Sequence, residues 1–283
     1  MKIESIISNI KAYHQGILWG KIIDPETTRD QILFGNTEQE CTGIITTCWA
    51  SIDVIKKTIK LGANLIICHE ALFWNHGDYT DWLNRTQNET YLEKSKLLKE
   101  SNIVIWRNHD YVHSGIPMQN GNYMDGIFYG FAKELKWENY IISDNDALIA
   151  FNLPKEVTTA EVANLLIRKF NLNGAKIIGS LDSKVKKIAV PNHILSDAKL
   201  QITKAEKDNY DLFLTLELID FTLSEYIFDT SKLDRNKSII AIGHFNMEEA
   251  GMRYMTTYIL DAAKTKVPVK FIQSGDMYQY VAK

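Results

Sequence analysis

The chain has 283 residues, 45% of them hydrophobic and 24% charged, enough to bury one large core or two smaller ones. A formal net charge of −3 leaves no electrostatic footprint for nucleic acid or an anionic membrane, and no stretch reaches the ~20 apolar residues of a membrane span. Cys41, Cys48 and Cys68 lack CxxC spacing, so neither a disulfide framework nor a zinc knuckle is expected; with no signal-peptide pattern after Met1, the expected setting is a reducing cytoplasm.

Ile3 to His14 reads as a helix with Ile6, Ile7 and Ile10 on one face. Cys41 to Thr47 reads as a short strand. Ser51 is the predicted N-cap of a helix through Lys60, which Gly62 closes. That helix feeds the apolar run Leu65 to Cys68, a parallel strand with an expected right-handed crossover. Thr80 to Glu100 is polar and then helical, and Ile103 to Trp106 is a further strand. Ser114 to Asn122, with Gly115, Pro117 and Gly121, reads as a loop shaping an entrance, and Asp125 to Leu135 as a helix.

Ser143-Asp144-Asn145-Asp146 is the predicted internal boundary. Beyond it, Ala147 to Leu153, Ile177 to Gly179 and Ile188 to Val190 read as strands, and Thr159 to Phe170 as an amphipathic helix capped by Thr158 or Thr159. Ser238 to Ile242 is another apolar strand, followed by a predicted helix from Asn246 to Ala263. Alternating helices and strands favour an α/β architecture, with lobes at residues 1–142 and 147–283 and a site between them. The aromatics in Trp74 to Trp82 and Phe221 to Phe228 are expected to pack in the core, with exposed contact surfaces as the alternative.

The chemistry-bearing residues follow strands, where α/β proteins bind ligands. Leu65 to Cys68 ends in His69-Glu70. Ser238 to Ile242 runs into Gly243-His244, with Glu248 one helical turn on. Ile103 to Trp106 leads into Arg107-Asn108-His109-Asp110-Tyr111-Val112-His113, the densest polar cluster in the chain. A single histidine after a strand is usually structural, but three sets in equivalent positions point to one site. Imidazole and carboxylate together suit zinc, manganese, iron or nickel, and a carboxylate can bridge two ions about 3.5–4 Å apart. His109 and His113 are candidates for extra ligands or for proton relay. His76 lies in a turn, either over the site or at the surface. His14 and His193 read as structural or exposed, and Cys68 as packing.

These residues carry a resemblance. Gly62-Ala63-Asn64-Leu65-Ile66-Ile67-Cys68-His69-Glu70-Ala71-Leu72-Phe73-Trp74 and Gly243-His244-Phe245-Asn246-Met247-Glu248-Glu249-Ala250-Gly251 resemble the two signatures of the Nif-three-like family, also known as dinuclear metal centre proteins or GTP cyclohydrolase type 2 homologues. Thr215-Leu216-Glu217 and Ser274-Gly275-Asp276-Met277 add weaker echoes. The resemblance implies the Nif-three-like fold, two α/β lobes of mixed sheets flanked by helices, with two divalent ions at the lobe junction. It implies the ligands His69, Glu70, Asp110, His244 and Glu248. Glu70 replaces a commoner histidine, Ala71 a proline, Phe245 a tyrosine and Met247 a hydroxyl residue. An added carboxylate at Glu70 would favour harder ions such as manganese or iron, unless it only hydrogen-bonds a ligand.

The function expected from this centre is metal-dependent hydrolysis by an activated water, on a nucleotide- or pterin-like small molecule if the family label holds. No phosphate-cradling glycine motif supports that substrate. The alternatives are a non-catalytic metal carrier or insertase, or a protein-interaction or regulatory factor. The family resemblance also implies a homo-oligomer, a hexamer in many members.

Overall fold

A computed structural model describes residues 1–192 and 198–281; His193 lies outside the described residues. The chain divides into two compact units, Met1–Gly130 with Gly251–Gly275, and Phe131–Ala250 with Asp276–Lys283. The division differs from the one predicted at residues 143–146, which fall inside the second unit. Two tertiary contacts account for this. The strand Val269–Phe271 pairs with Ile44–Thr47 of the first unit, while Asp144 accepts Lys204 Nζ at 2.7 Å within the second.

The first unit holds a five-stranded sheet in the order Val269–Phe271, Ile44–Thr47, Leu65–Cys68, Val104–Arg107, Ile32–Phe34. The first four strands are parallel and Ile32–Phe34 is antiparallel, so the sheet is mixed. The three central strands are buried at every position, as unbroken β-branched and apolar runs require of a sheet covered on both faces. Ile45, Ile66, Cys68 and Ile105 point into one core cluster with Val54, Ile55, Leu72 and Leu98. Ser51 caps the helix Ile52–Lys60 by accepting from Val54 N at 3.3 Å, and Gly62 follows at φ +68°.

The second unit holds a six-stranded mixed sheet in the order Lys176–Ile178, Ser238–Ala241, Leu212–Thr215, Lys184–Pro191, Ala147–Thr158, Ile141–Ile142. Lys184–Pro191, Leu212–Thr215 and Ser238–Ala241 are parallel, and the outer pairings are antiparallel. The helix Thr159–Phe170 opens with a capping box. Thr158 Oγ1 accepts from Glu161 N, and the Glu161 carboxylate accepts from Thr158 N.

Local structure departs from the sequence reading in three places. The predicted helix Asn246 to Ala263 is two, His244–Met255 and Ile259–Ala263. Between them Thr256 and Thr257 turn their hydroxyls back onto the carbonyls of Arg253 and Tyr254, competing with the helical ladder. The predicted loop at 114–122 begins with Ile116–Pro117, which pairs with Tyr123–Met124 as a small ribbon. Trp74, Tyr79 and Trp82, expected in the core, are exposed, and Phe221 and Phe228 are 75% and 53% exposed because Leu223 and Ile227 take the inward positions of that segment. Among the described residues no helix is long and apolar enough to cross a membrane.

Candidate metal centre

In the first unit the strand register builds the site. Leu65–Cys68 and Val104–Arg107 run parallel with Cys68 opposite Arg107, which sets His69 beside Asn108. Asn108 N donates to Cys68 O at 2.8 Å, and His69 Nδ1 lies 3.1 Å from Asn108 O. The short helix Asp110–Ser114 follows, with His109 and His113 four residues apart and so on one face. Ring nitrogens of His69, His109 and His113 all lie within 4.8 Å of one another. The His69 and His109 rings stack at 4.6 Å, and His113 stands edge-on to both at 4.9 Å.

Each of these rings is oriented through Nδ1. His69 Nδ1 donates to Asn108 O, His109 Nδ1 to Asp110 Oδ1 at 2.9 Å, and His113 Nδ1 to Asp125 Oδ2 at 2.8 Å. A proton held on Nδ1 puts the lone pair on Nε2, the pattern in which histidines bind metals with an oxygen acceptor behind each ring. Three imidazoles so arranged fit one borderline divalent ion.

Asp110 takes a supporting position. Its carboxylate is buried, yet bonds from His109, Arg29 N–H and the Thr28 hydroxyl hold it well below the usual carboxylate range. His113 stands with His69 and His109, and Asp110 touches the cluster through His109. Behind Asp110 lies Asp30, whose carboxylate accepts from the backbone N–H groups of His109 at 3.0 Å and Asp110 at 2.7 Å, at the start of the short helix. Burial and the Asp110 charge push Asp30 up to about 6. No sequence signal marks Asp30. Asp125 was legible only as a helix start, since its other oxygen caps Ile127 N and Phe128 N.

Glu70 is buried against Arg107, with Oε2 at 2.8 Å from Nη2. Arg107 also donates to His69 O at 3.0 Å and His76 O at 2.7 Å. Its charge therefore offsets the negative charge that Glu70 brings to the site, and its fork fixes the backbone on both sides of the loop. The same loop is held by Lys94, which donates to Leu72 O at 2.8 Å, and by Asp78, which accepts from Leu72 N and Phe73 N. His76 is exposed and stands edge-on to His109, with ring centres 6.0 Å apart. Cys68 is fully buried, and burial pushes its thiol up to about 12, in keeping with packing.

In the second unit Thr215 pairs with Ala241, so Glu217 and His244 leave the sheet side by side. His244 Nδ1 donates to Glu217 Oε1 at 2.5 Å, and His244 Nε2 lies 3.1 Å from Glu248 Oε1, one turn along the helix. Burial disfavours charge on the ring, but the two carboxylates override it and raise His244 to about 11. Glu217 thus stands to His244 as Asp125 does to His113. The Nε2 proton facing Glu248 occupies a place where a divalent cation could bind the same two atoms. Met247, where a hydroxyl residue is usual, is fully buried.

A family model described as Duf34/NIF3 (NGG1p interacting factor 3) matches residues 31–276. The chain is 26% identical to the GTP cyclohydrolase 1 type 2 homolog of Clostridium perfringens (strain 13 / Type A) over 223 residues, 77% of each protein. Its fold is similar to Staphylococcus aureus hypothetical protein SA1388, with a TM-score of 0.68, 16% identity and 99% of both chains covered. The Bacillus cereus protein related to NIF3 gives 0.67 at 15% identity, again over 99% of both chains.

Proposed function

We propose that this chain, which belongs to the Duf34/NIF3 family, binds about two divalent ions and is a metal-dependent hydrolase acting on a nucleotide- or pterin-like small molecule. The observation that carries the proposal is the convergence of His69, His109 and His113, each oriented through Nδ1 by an oxygen acceptor. His244 and Glu248, with Glu217 behind the ring, repeat the pattern in the second unit. The bound ions would be zinc, manganese, iron or nickel, and would supply a water acidic enough to attack at neutral pH.

The roles of the chain's own groups follow from their contacts. His69, His109, His113, His244 and Glu248 are proposed as donors. Asp110, Asp125 and Glu217 fix imidazole orientation, and Arg107 sets the position of Glu70. Glu70 is retained as a further donor of the proposed set, with Arg107 moderating its charge. The GTP in the name of the Clostridium perfringens relative supports a nucleotide-like substrate. Self-association into a ring-shaped hexamer is also proposed, from the family resemblance.

The test is metal content per chain by plasma mass spectrometry, on protein purified without added metal. Wild type should carry about two divalent ions, with a sharp fall in His244→Ala and in His113→Ala. Metal that binds with no hydrolysis of any nucleotide or pterin would favour a carrier. Absence of metal after reconstitution would overturn the proposal and leave an interaction role.

A further inference from the structure

We propose that a cleft in the second unit, bounded by Lys176, Glu217, His244, Tyr278 and Tyr280, is the subsite that recognises a planar heteroaromatic ring carrying an anionic substituent. The inference rests on the hydrolase reading and assigns substrate recognition to named residues. The cleft has a volume of about 240 Å³ and lies just past the carboxyl ends of Leu212–Thr215 and Ser238–Ala241, the usual ligand position in an α/β sheet. That volume is below the ~300–1,000 Å³ of pockets for drug-sized ligands, and suits one ring system with a substituent.

The two aromatic walls are built into place. Asp276 accepts from Asn173 N at 2.8 Å and from Asn246 Nδ2 at 3.2 Å, and Asn173 Nδ2 donates to Tyr278 O at 2.7 Å. These bonds fasten the extended C-terminal segment to the unit. Two glycines let the rings lie against backbone. A Cβ on Gly243, itself at φ +96°, would fall 2.5 Å from Tyr278 Cε2, and one on Gly174 would fall 2.7 Å from Tyr280 Cδ2. Tyr278 and Tyr280 nevertheless remain 40% and 41% exposed, as stacking platforms must.

The polar groups complete the match. Lys176, opposite Ala241 in the sheet register, holds its ammonium over the Tyr278 ring, 5.9 Å from its centre, and leaves Tyr280 as the stacking face of the cleft. It supplies the positive charge for a phosphate or carboxylate substituent. Glu217 presents a carboxylate to the same space, an acceptor for the ring N–H groups of purines and pterins. His244 belongs both to this wall and to the donor pair with Glu248, so a ring held here sits against the proposed chemistry.

The experiment is calorimetric titration of the metal-bearing protein with GMP and with guanosine, for wild type, Lys176→Met and Tyr280→Ala, with metal content measured on the same samples. Both side chains are exposed, so both variants should fold. Lys176→Met should weaken GMP about tenfold or more and leave guanosine unchanged, as loss of a charged contact demands. Tyr280→Ala should weaken both ligands about tenfold, as loss of one stacking face does. Metal content should stay at the wild-type value. Binding of GMP that neither substitution alters would overturn the subsite, as would a metal-replete wild type that binds neither ligand; the metal reading would then stand alone. Binding that depends on Lys176 and Tyr280 in a chain without metal would keep the subsite and remove the hydrolase.

Discussion

The Arg107 guanidinium meets the Glu70 carboxylate at 2.8 Å with both side chains buried, while its other nitrogens hold the carbonyls of His69 and His76. One side chain thus ties down both flanks of the loop next to the histidine cluster. Arg107→Met should lower stability by roughly 3–5 kcal/mol, the cost of leaving a buried charge uncompensated. Glu70→Gln keeps an acceptor and should cost less. Denaturant midpoints read both, and an Arg107→Met midpoint equal to wild type would refute the role.

Asp125 has separable tasks on its two oxygens. Asp125→Asn retains an acceptor for Ile127 N and Phe128 N but can place an amide N–H opposite His113 Nδ1. Metal affinity should therefore fall about 10–100-fold while thermal stability of the metal-free protein changes little. Competition against a chromogenic chelator measures the first and a melt in chelator the second. Unchanged affinity would detach His113 from metal binding.

His14 gives a pH dependence away from the proposed donors. Its Nδ1 donates to Ile10 O at 2.8 Å, and burial lowers its pKa from 6.5 to about 4. Between those values the unfolded chain takes up a proton that the folded chain refuses, so stability falls as pH drops through 6.5 and levels off below about 4. The loss is on the order of 3 kcal/mol at 1.36 kcal/mol per unit. His14→Phe should remove this contribution, and the wild-type-minus-variant difference in melting temperature against pH is the readout. A difference that stays flat from pH 7 to 4 would exclude His14 as the cause.

Gly251 closes the second signature for a steric reason. A Cβ there would fall 2.4 Å from Ile127 Cα and 2.8 Å from Ile127 O, both backbone atoms that cannot swing aside. Gly251→Ala should cost at least about 1–3 kcal/mol, seen as a lower melting temperature. A melt superimposable on wild type would show that the two segments separate at no cost.

Strand ends were the legible part of the site. Unbroken apolar runs located His69 and His244, and helical spacing placed Glu248 beside His244. That His113 joins His69 and His109 was not legible, because it depends on where a five-residue helix starts, and five residues are too few to show a period. Once that helix forms, positions 109 and 113 share a face and position 110 turns about 100° away, toward Thr28 and Arg29. Asp30 is invisible for a different reason. It works by capping a helix 80 residues downstream, and only tertiary contact defines such a cap. The split of Asn246 to Ala263 into two helices likewise turned on how Thr256 and Thr257 use their hydroxyls.

His69 and His109 follow neighbouring strands separated in sequence by two helices, and lie about forty residues apart, so their rings meet only after the sheet has closed. An unfolded chain keeps the local His109–His113 pair but loses His69 from it. An ion that prefers the folded cluster would stabilise the native state by mass action, by at most roughly 2.7 kcal/mol at a hundredfold excess over its dissociation constant. Stripping such an ion with a chelator would lower the stability of the folded chain by the same amount.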